Sequence, residues 1–147
     1  MRWTNVDIGG DVNEDLATFT RTMVIERVVV GTLVGLTPGL AVKLFGLPPE
    51  FDTPLVRYVG RIFGIRNAVL GAMLWEARDD PARLERLATL NALTEGVDAV
   101  SASVPLVRRQ GMDRAAVSTF ATSLSLMAGF LALRAKAAAA RSAMPAR

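Results

Sequence analysis

Apolar residues in this chain gather into four long stretches, separated by short polar segments that carry proline or glycine. The first runs from about Leu16 to Leu36. Asn13-Glu14-Asp15 stands before it as a capping segment, because carboxylates and amides favour a helix N-terminus. Pro38-Gly39 should end or kink it. Gly39 to Gly46 follows as a short amphipathic piece, and Leu47-Pro48-Pro49-Glu50 reads as a loop. Asp52-Thr53-Pro54 then places a capping side chain before a proline at the first helical position, and a second helix is predicted to about Ala77. Asp80-Pro81 repeats the signal for a third helix, in which Pro105 should kink the last turns and Gln110-Gly111 should act as a stop. Asp113 caps a fourth helix from Arg114 to about Ala140. No period-2 alternation persists, so strands are not expected.

Loops of a few residues force neighbouring helices to run antiparallel. The pattern therefore predicts an all-α, up-down-up-down four-helix bundle. Its expected layout is a polar N-terminal arm over residues 1–15, a helical domain over 16–141 and a C-terminal tail over 142–147.

Ala115 to Leu133 is a 19-residue run without a charge, long enough to cross a bilayer core. The competing reading is a buried helix of a soluble bundle, but such a helix keeps a wet face, and this run lacks a strongly polar one. Val28 to Val42 is also charge-free, over 15 residues. The second and third helices carry charges near their middles, each costing about 2.5–3.5 kcal/mol on insertion scales. Pairing inside a bundle would offset that cost. A transmembrane four-helix bundle is the expectation, with a soluble bundle that binds an apolar ligand as the alternative.

Composition narrows the chemistry. The chain has 147 residues, 51% hydrophobic and 21% charged, and a positive mean hydropathy. With neither histidine nor cysteine, disulfides, thiolate zinc sites, iron–sulfur clusters and histidine mechanisms are excluded. No cofactor is expected. The net charge is +3, yet the basic residues form no long run and aromatics are only 6%, so nucleic acid is not an expected partner. After Arg2 come Trp3 and polar residues without an apolar core, so no signal peptide is expected. Gly9-Gly10-Asp11 lacks the Lys-Ser/Thr of a phosphate loop. Positive charge favours the end bearing Arg78, Arg83, Arg86, Arg134, Lys136, Arg141 and Arg147, which predicts both termini in the cytoplasm and an inner-membrane location.

The candidate site is the set of polar residues inside apolar stretches: Glu26, Arg61, Arg66, Asn91, Glu95 and Asp98. At 100° per residue, Asn91, Glu95 and Asp98 fall at about 0°, 40° and −20°, a narrow stripe that looks inward. Arg61 is expected to join Glu95 or Asp98, and Glu26 to join Arg27 or Arg66. Gly60, Gly64, Ala68 and Gly71 form a stripe of small residues that lets helices approach closely in lipid. It is expected to share its face with Arg61, and it suits packing within the chain or self-association.

One segment resembles a known group. Pro38, then Leu44-Phe45-Gly46-Leu47-Pro48, then Arg57-Tyr58-Val59-Gly60-Arg61-Ile62-Phe63-Gly64-Ile65-Arg66-Asn67-Ala68-Val69-Leu70-Gly71 is similar to the first two helices of DoxX-like proteins and related actinobacterial membrane families. Asp98 after Glu95 also resembles their pattern. The resemblance implies a small four-helix membrane protein and little assigned biochemistry; some DoxX-like proteins serve as membrane partners of redox enzymes. The expected role is a non-enzymatic accessory or scaffold subunit whose partners are lipids and another membrane protein or itself. A membrane site for a lipid, a quinone or a proton relay is the alternative. No nucleophile motif, metal box or phosphate loop supports an enzyme.

Overall fold

The computed structural model describes residues 8–110 and 113–143, with side chains from 14 and 114 onward in the two segments. Within them the chain is all-helical and without strands. Helix α1 spans Ile8–Leu36, α2 Pro38–Leu44, α3 Pro54–Glu76, α4 Pro81–Val107 and α5 Asp113–Ala143, with a 3-10 turn at Pro49–Phe51. The expected arm is thus helical from Ile8 onward, and Asn13-Glu14-Asp15 lies inside α1 rather than capping it. Trp3 and Gly111 lie outside the described residues.

Two start signals act as their chemistry dictates. Thr53 Oγ1 accepts from Val56 N at 3.3 Å, and Asp80 Oδ1 accepts from Ala82 N and Arg83 N at 3.0 and 3.1 Å. Pro54 and Pro81 follow at positions where a missing N–H costs nothing.

Proline acts differently elsewhere. Thr37 precedes Pro38 and is pushed out of the helical region, to φ −126° and ψ 60°. The axis turns by 115° between α1 and α2, so the expected amphipathic piece is a separate short helix across the end of the bundle. Gly46, at φ 72°, closes it. Its N–H reaches Lys43 O and the Leu47 N–H reaches Val42 O, an arrangement that needs the left-handed backbone glycine tolerates. Helix α4 ends at Val107, before the expected stop, with Arg109 at φ 51° turning the chain away.

The four long helices run alternately up and down. Along α1 and α3, Arg27 lies beside Gly71, Gly31 beside Ala68, and Gly35 beside Gly64. Across α4 and α5, Glu85 meets Arg141 and Gly96 lies beside Met127. The pairs α1–α3 and α4–α5 pack most closely, and α3 and α4 touch sparingly. A core of Leu16, Val24, Leu74, Leu84, Leu87, Phe130 and Leu133 fills the end that holds the α3–α4 connection.

Among the described residues one helix, Arg114–Ala143, is long and apolar enough to cross a membrane; the bent pair Glu14–Leu36 and Pro38–Leu44 passes the same test if taken as one span. Helices α3 and α4 do not pass it, because Arg57, Arg61, Arg66, Glu95 and Asp98 interrupt them. Four spans are therefore not evident from length and composition alone.

Candidate functional site

The centre of the bundle is a polar layer organised by one arginine. Arg27 on α1 is 1% exposed. Its Nη1 donates to Asn67 Oδ1 on α3, and Nη2 stands 2.6 Å from Glu95 Oε1 on α4. The Nη2–Glu95 contact is an ion pair by distance, without the alignment of a good hydrogen bond. The guanidinium also lies over the Phe130 ring on α5, 4.7 Å from its centroid. A single side chain thus touches all the other long helices. Its planar fork suits this role, since it offers five donors and two flat faces at once.

The rest of the layer follows from helix register. Asn91 and Glu95 are buried, and Asp98 is half-buried one turn further along. The stripe expected on this helix therefore faces inward. Asn91 Nδ2 donates to Leu87 O, while Asn91 Oδ1 and Glu26 Oε2 are buried without a hydrogen-bond partner among the described residues. Arg66 on α3 forks onto the Asp98 carboxylate, with Nη1 donating to Oδ1 at 3.1 Å, and it stacks on Phe63. The layer thus holds three carboxyls, from Glu26, Glu95 and Asp98, against two guanidiniums, from Arg27 and Arg66.

Two expectations are corrected: Glu26 forms no ion pair with Arg27 or Arg66, whose carboxylate partners are Glu95 and Asp98, and Arg61 stays outside the cluster. Arg61 does not join the cluster; it is exposed, because it sits about 100° round the helix from Gly60 and the face toward α1 belongs to the glycines. Arg27 takes the place expected of Arg61 against Glu95. Its signal was its position at the edge of an apolar run beside Glu26, but no spacing rule assigns it a partner on another helix.

The small-residue stripe meets α1. A Cβ on Gly64 would lie 2.3 Å from Gly35 N, and one on Gly31 would lie 2.5 Å from Ala68 N. Gly71 lies against Arg27 and Val28, and Gly60 against Pro38. Gly31 and Gly35, themselves a GxxxG step, complete the seam; that spacing was the available signal.

No protein-family model, curated protein or solved structure matches the chain.

Beyond the polar layer, toward α2, the interior opens into a cleft of about 370 Å³. Val34, Val42, Phe45, Val59 and Phe63 supply apolar walls, and Ala102, Ala115 and Ala116 leave room. Among the described residues Asp98 is the one charged residue in its lining. The polar layer can fasten helices, and with the cleft it can hold a molecule that is apolar along most of its length.

Proposed function

We propose that this chain is a small integral membrane protein, a non-enzymatic accessory or scaffold subunit of the inner membrane, folded as a four-helix transmembrane bundle with both termini in the cytoplasm. The observation that carries the reading is an inverted distribution of polarity. Arg27, Asn67, Asn91 and Glu95 are buried, while Val97 and Val100, on the same helix as Glu95, are 64% and 67% exposed. Ile25, Val29 and Leu33 on α1 and Ile62, Ile65 and Val69 on α3 are exposed as well. Exposed apolar surface this extensive marks an interaction surface or a membrane. Buried charge that is internally paired is the arrangement lipid demands.

Most of the remaining charges support the same reading, while Arg61 is exposed one turn inside Arg57 on α3. Asp15, Arg78, Asp79, Arg83, Arg86, Lys136 and Arg141 gather at one end of the helices, and Lys43, Glu50, Asp52, Arg57, Arg108, Arg109 and Arg114 at the other. Between them α4 and α5 carry apolar outer faces about 25–28 Å long at 1.5 Å per residue. With Arg134 included, the first end carries six basic residues (Arg78, Arg83, Arg86, Arg134, Lys136 and Arg141) against five at the other, which supports its placement in the cytoplasm. The apolar outer faces offer lipids, a second membrane protein or a second copy a place to pack.

Expression followed by ultracentrifugation tests the reading. The protein is expected in the pellet, resistant to an alkaline carbonate wash and released by detergent. Full recovery in the supernatant without detergent would sink it.

A further inference from the structure

The cleft beside the polar layer is walled by apolar side chains, and its polar lining is Asp98 and Ser101 on α4 with Thr119 facing them from α5. Asp98, Ser101, Ala102 and Pro105 line it at i, i+3, i+4 and i+7 of that helix. Pro105 has no N–H, so the Ser101 carbonyl loses its usual donor four residues on. A backbone acceptor freed of its helical donor and the Asp98 carboxylate thus stand one turn apart on α4, both belonging to residues that line the cleft.

The charge state of this wall narrows the ligand. Arg66 already neutralises Asp98 through a two-pronged contact, so a cationic head finds no uncompensated charge there. An anionic head meets the Asp98 carboxylate and a backbone carbonyl, and against that repulsion the lining offers only hydroxyl donors such as Thr119 and no free cation among the described residues. A neutral hydroxyl donates to either acceptor and needs no counter-ion, since each carboxylate oxygen accepts more than one hydrogen bond. The volume is within the range of small-molecule sites. The cleft is open where α3 and α4 part, and Val59 in its lining is 54% exposed to the apolar outer belt.

From these observations we infer that the cleft is a binding site for a single-chain amphiphile with an uncharged hydroxyl head. The chain lies along Phe45, Val59 and Phe63, and the hydroxyl meets Asp98 and the Ser101 carbonyl. Entry from the lipid side rests on the membrane reading; the site itself does not.

Photolabelling tests this. The full chain in phosphatidylcholine nanodiscs receives hexadecanol carrying a diazirine near the head, at low mole fraction, and the labelled peptides are mapped by mass spectrometry. Parallel samples receive the corresponding hexadecane and hexadecanoate. The hydroxyl probe is expected to label the peptides of Phe45, Phe63 and Ala102 about tenfold more than the hydrocarbon does, the worth of one hydrogen bond to a charged group. Ala102→Phe, which fills the cleft, should remove that excess. Val59→Trp obstructs the mouth from an exposed position and should do the same if Ala102→Phe does not fold. Equal labelling by the hydrocarbon, preference for the carboxylate, or labelling of the outer helix faces that ignores the filling variant that folds would each overturn the inference. Recovery of the protein without detergent would overturn only the membrane reading, because the same labelling can then be run in buffer.

Discussion

The two ends of the bundle use the same long helices and differ in how they are filled. At the end with the α3–α4 connection, Leu74, Leu84, Phe130 and Leu133 are fully buried and interdigitate. At the α2 end Ala102, Ala115 and Ala116 share the interior with Val34, Val42, Phe45 and Phe63, and a cleft of about 370 Å³ remains. Helix α2 turns across that end instead of extending the bundle, because Pro38 breaks the axis of α1. The Arg27 layer lies between them. The cleft thus lies where Pro38 turns α2 across the end of the bundle and α3 and α4 part, with alanines on its α4 and α5 walls.

The largest effect is expected where both ends depend on one seam. Gly64→Leu drives a side chain into the α1 backbone, where a Cβ alone would lie 2.3 Å from Gly35 N. The loss should exceed about 4 kcal/mol, the range reserved for gross steric failure. Absence of folded protein by circular dichroism and size-exclusion chromatography checks it; a stable Gly64→Leu protein would refute the close approach.

The layer between the ends comes next. Arg27→Met leaves Glu95 buried and unpaired and should cost about 3–5 kcal/mol. The double change Arg27→Met with Glu95→Met should recover most of that loss. Thermal unfolding in detergent measures both, and a double variant as weak as the single would mean that the pair is not the source.

The third outcome sets the ends against each other. Leu84→Ala removes buried volume at the filled end and should cost about 2–5 kcal/mol. Ala102→Val adds volume at the cleft end, where room exists, and should change stability by less than about 1 kcal/mol. Equal costs would mean that the cleft end is as tightly packed as the other.

The smallest effect lies at the surface of the cleft end. Arg57 donates to both Asp52 oxygens, at 2.7 and 2.8 Å, and this hydrogen bonding holds the Asp52 carboxyl below its ordinary value. A carboxyl lowered in the folded state contributes stability above its unfolded value and loses it as pH falls through the folded one. Wild-type protein should therefore show a slightly steeper loss on acidification than Asp52→Asn. Superimposable pH–stability curves would leave the pair without energetic weight.

Part of this design was legible in the residues. Thr53-Pro54 and Asp80-Pro81 start helices because capping and a missing N–H act within one turn. The stripe of Asn91, Glu95 and Asp98 could be placed inward because helical periodicity is local. The stripe Gly60, Gly64, Ala68 and Gly71 could be read as a packing face, but α1 could not be named as its partner. Arg61 was matched to Glu95 or Asp98 and Arg27 to its neighbour Glu26, because pairing between helices depends on their relative rotation and depth, which the residues alone do not give. The 115° turn at Thr37 was foreseen as a break, though not in its direction.

By itself, then, the sequence determined the helices, their order, the absence of histidine and cysteine chemistry, and which helix faces carry polar groups. These follow from interactions within a few residues. Only the tertiary structure decided that Arg27 bridges Asn67, Glu95 and Phe130, that Arg66 meets Asp98, and that the α2 end holds a cleft. Each joins residues from different helices, and their meeting depends on how closely the glycine seam lets α1 approach α3 and on where α2 comes to rest.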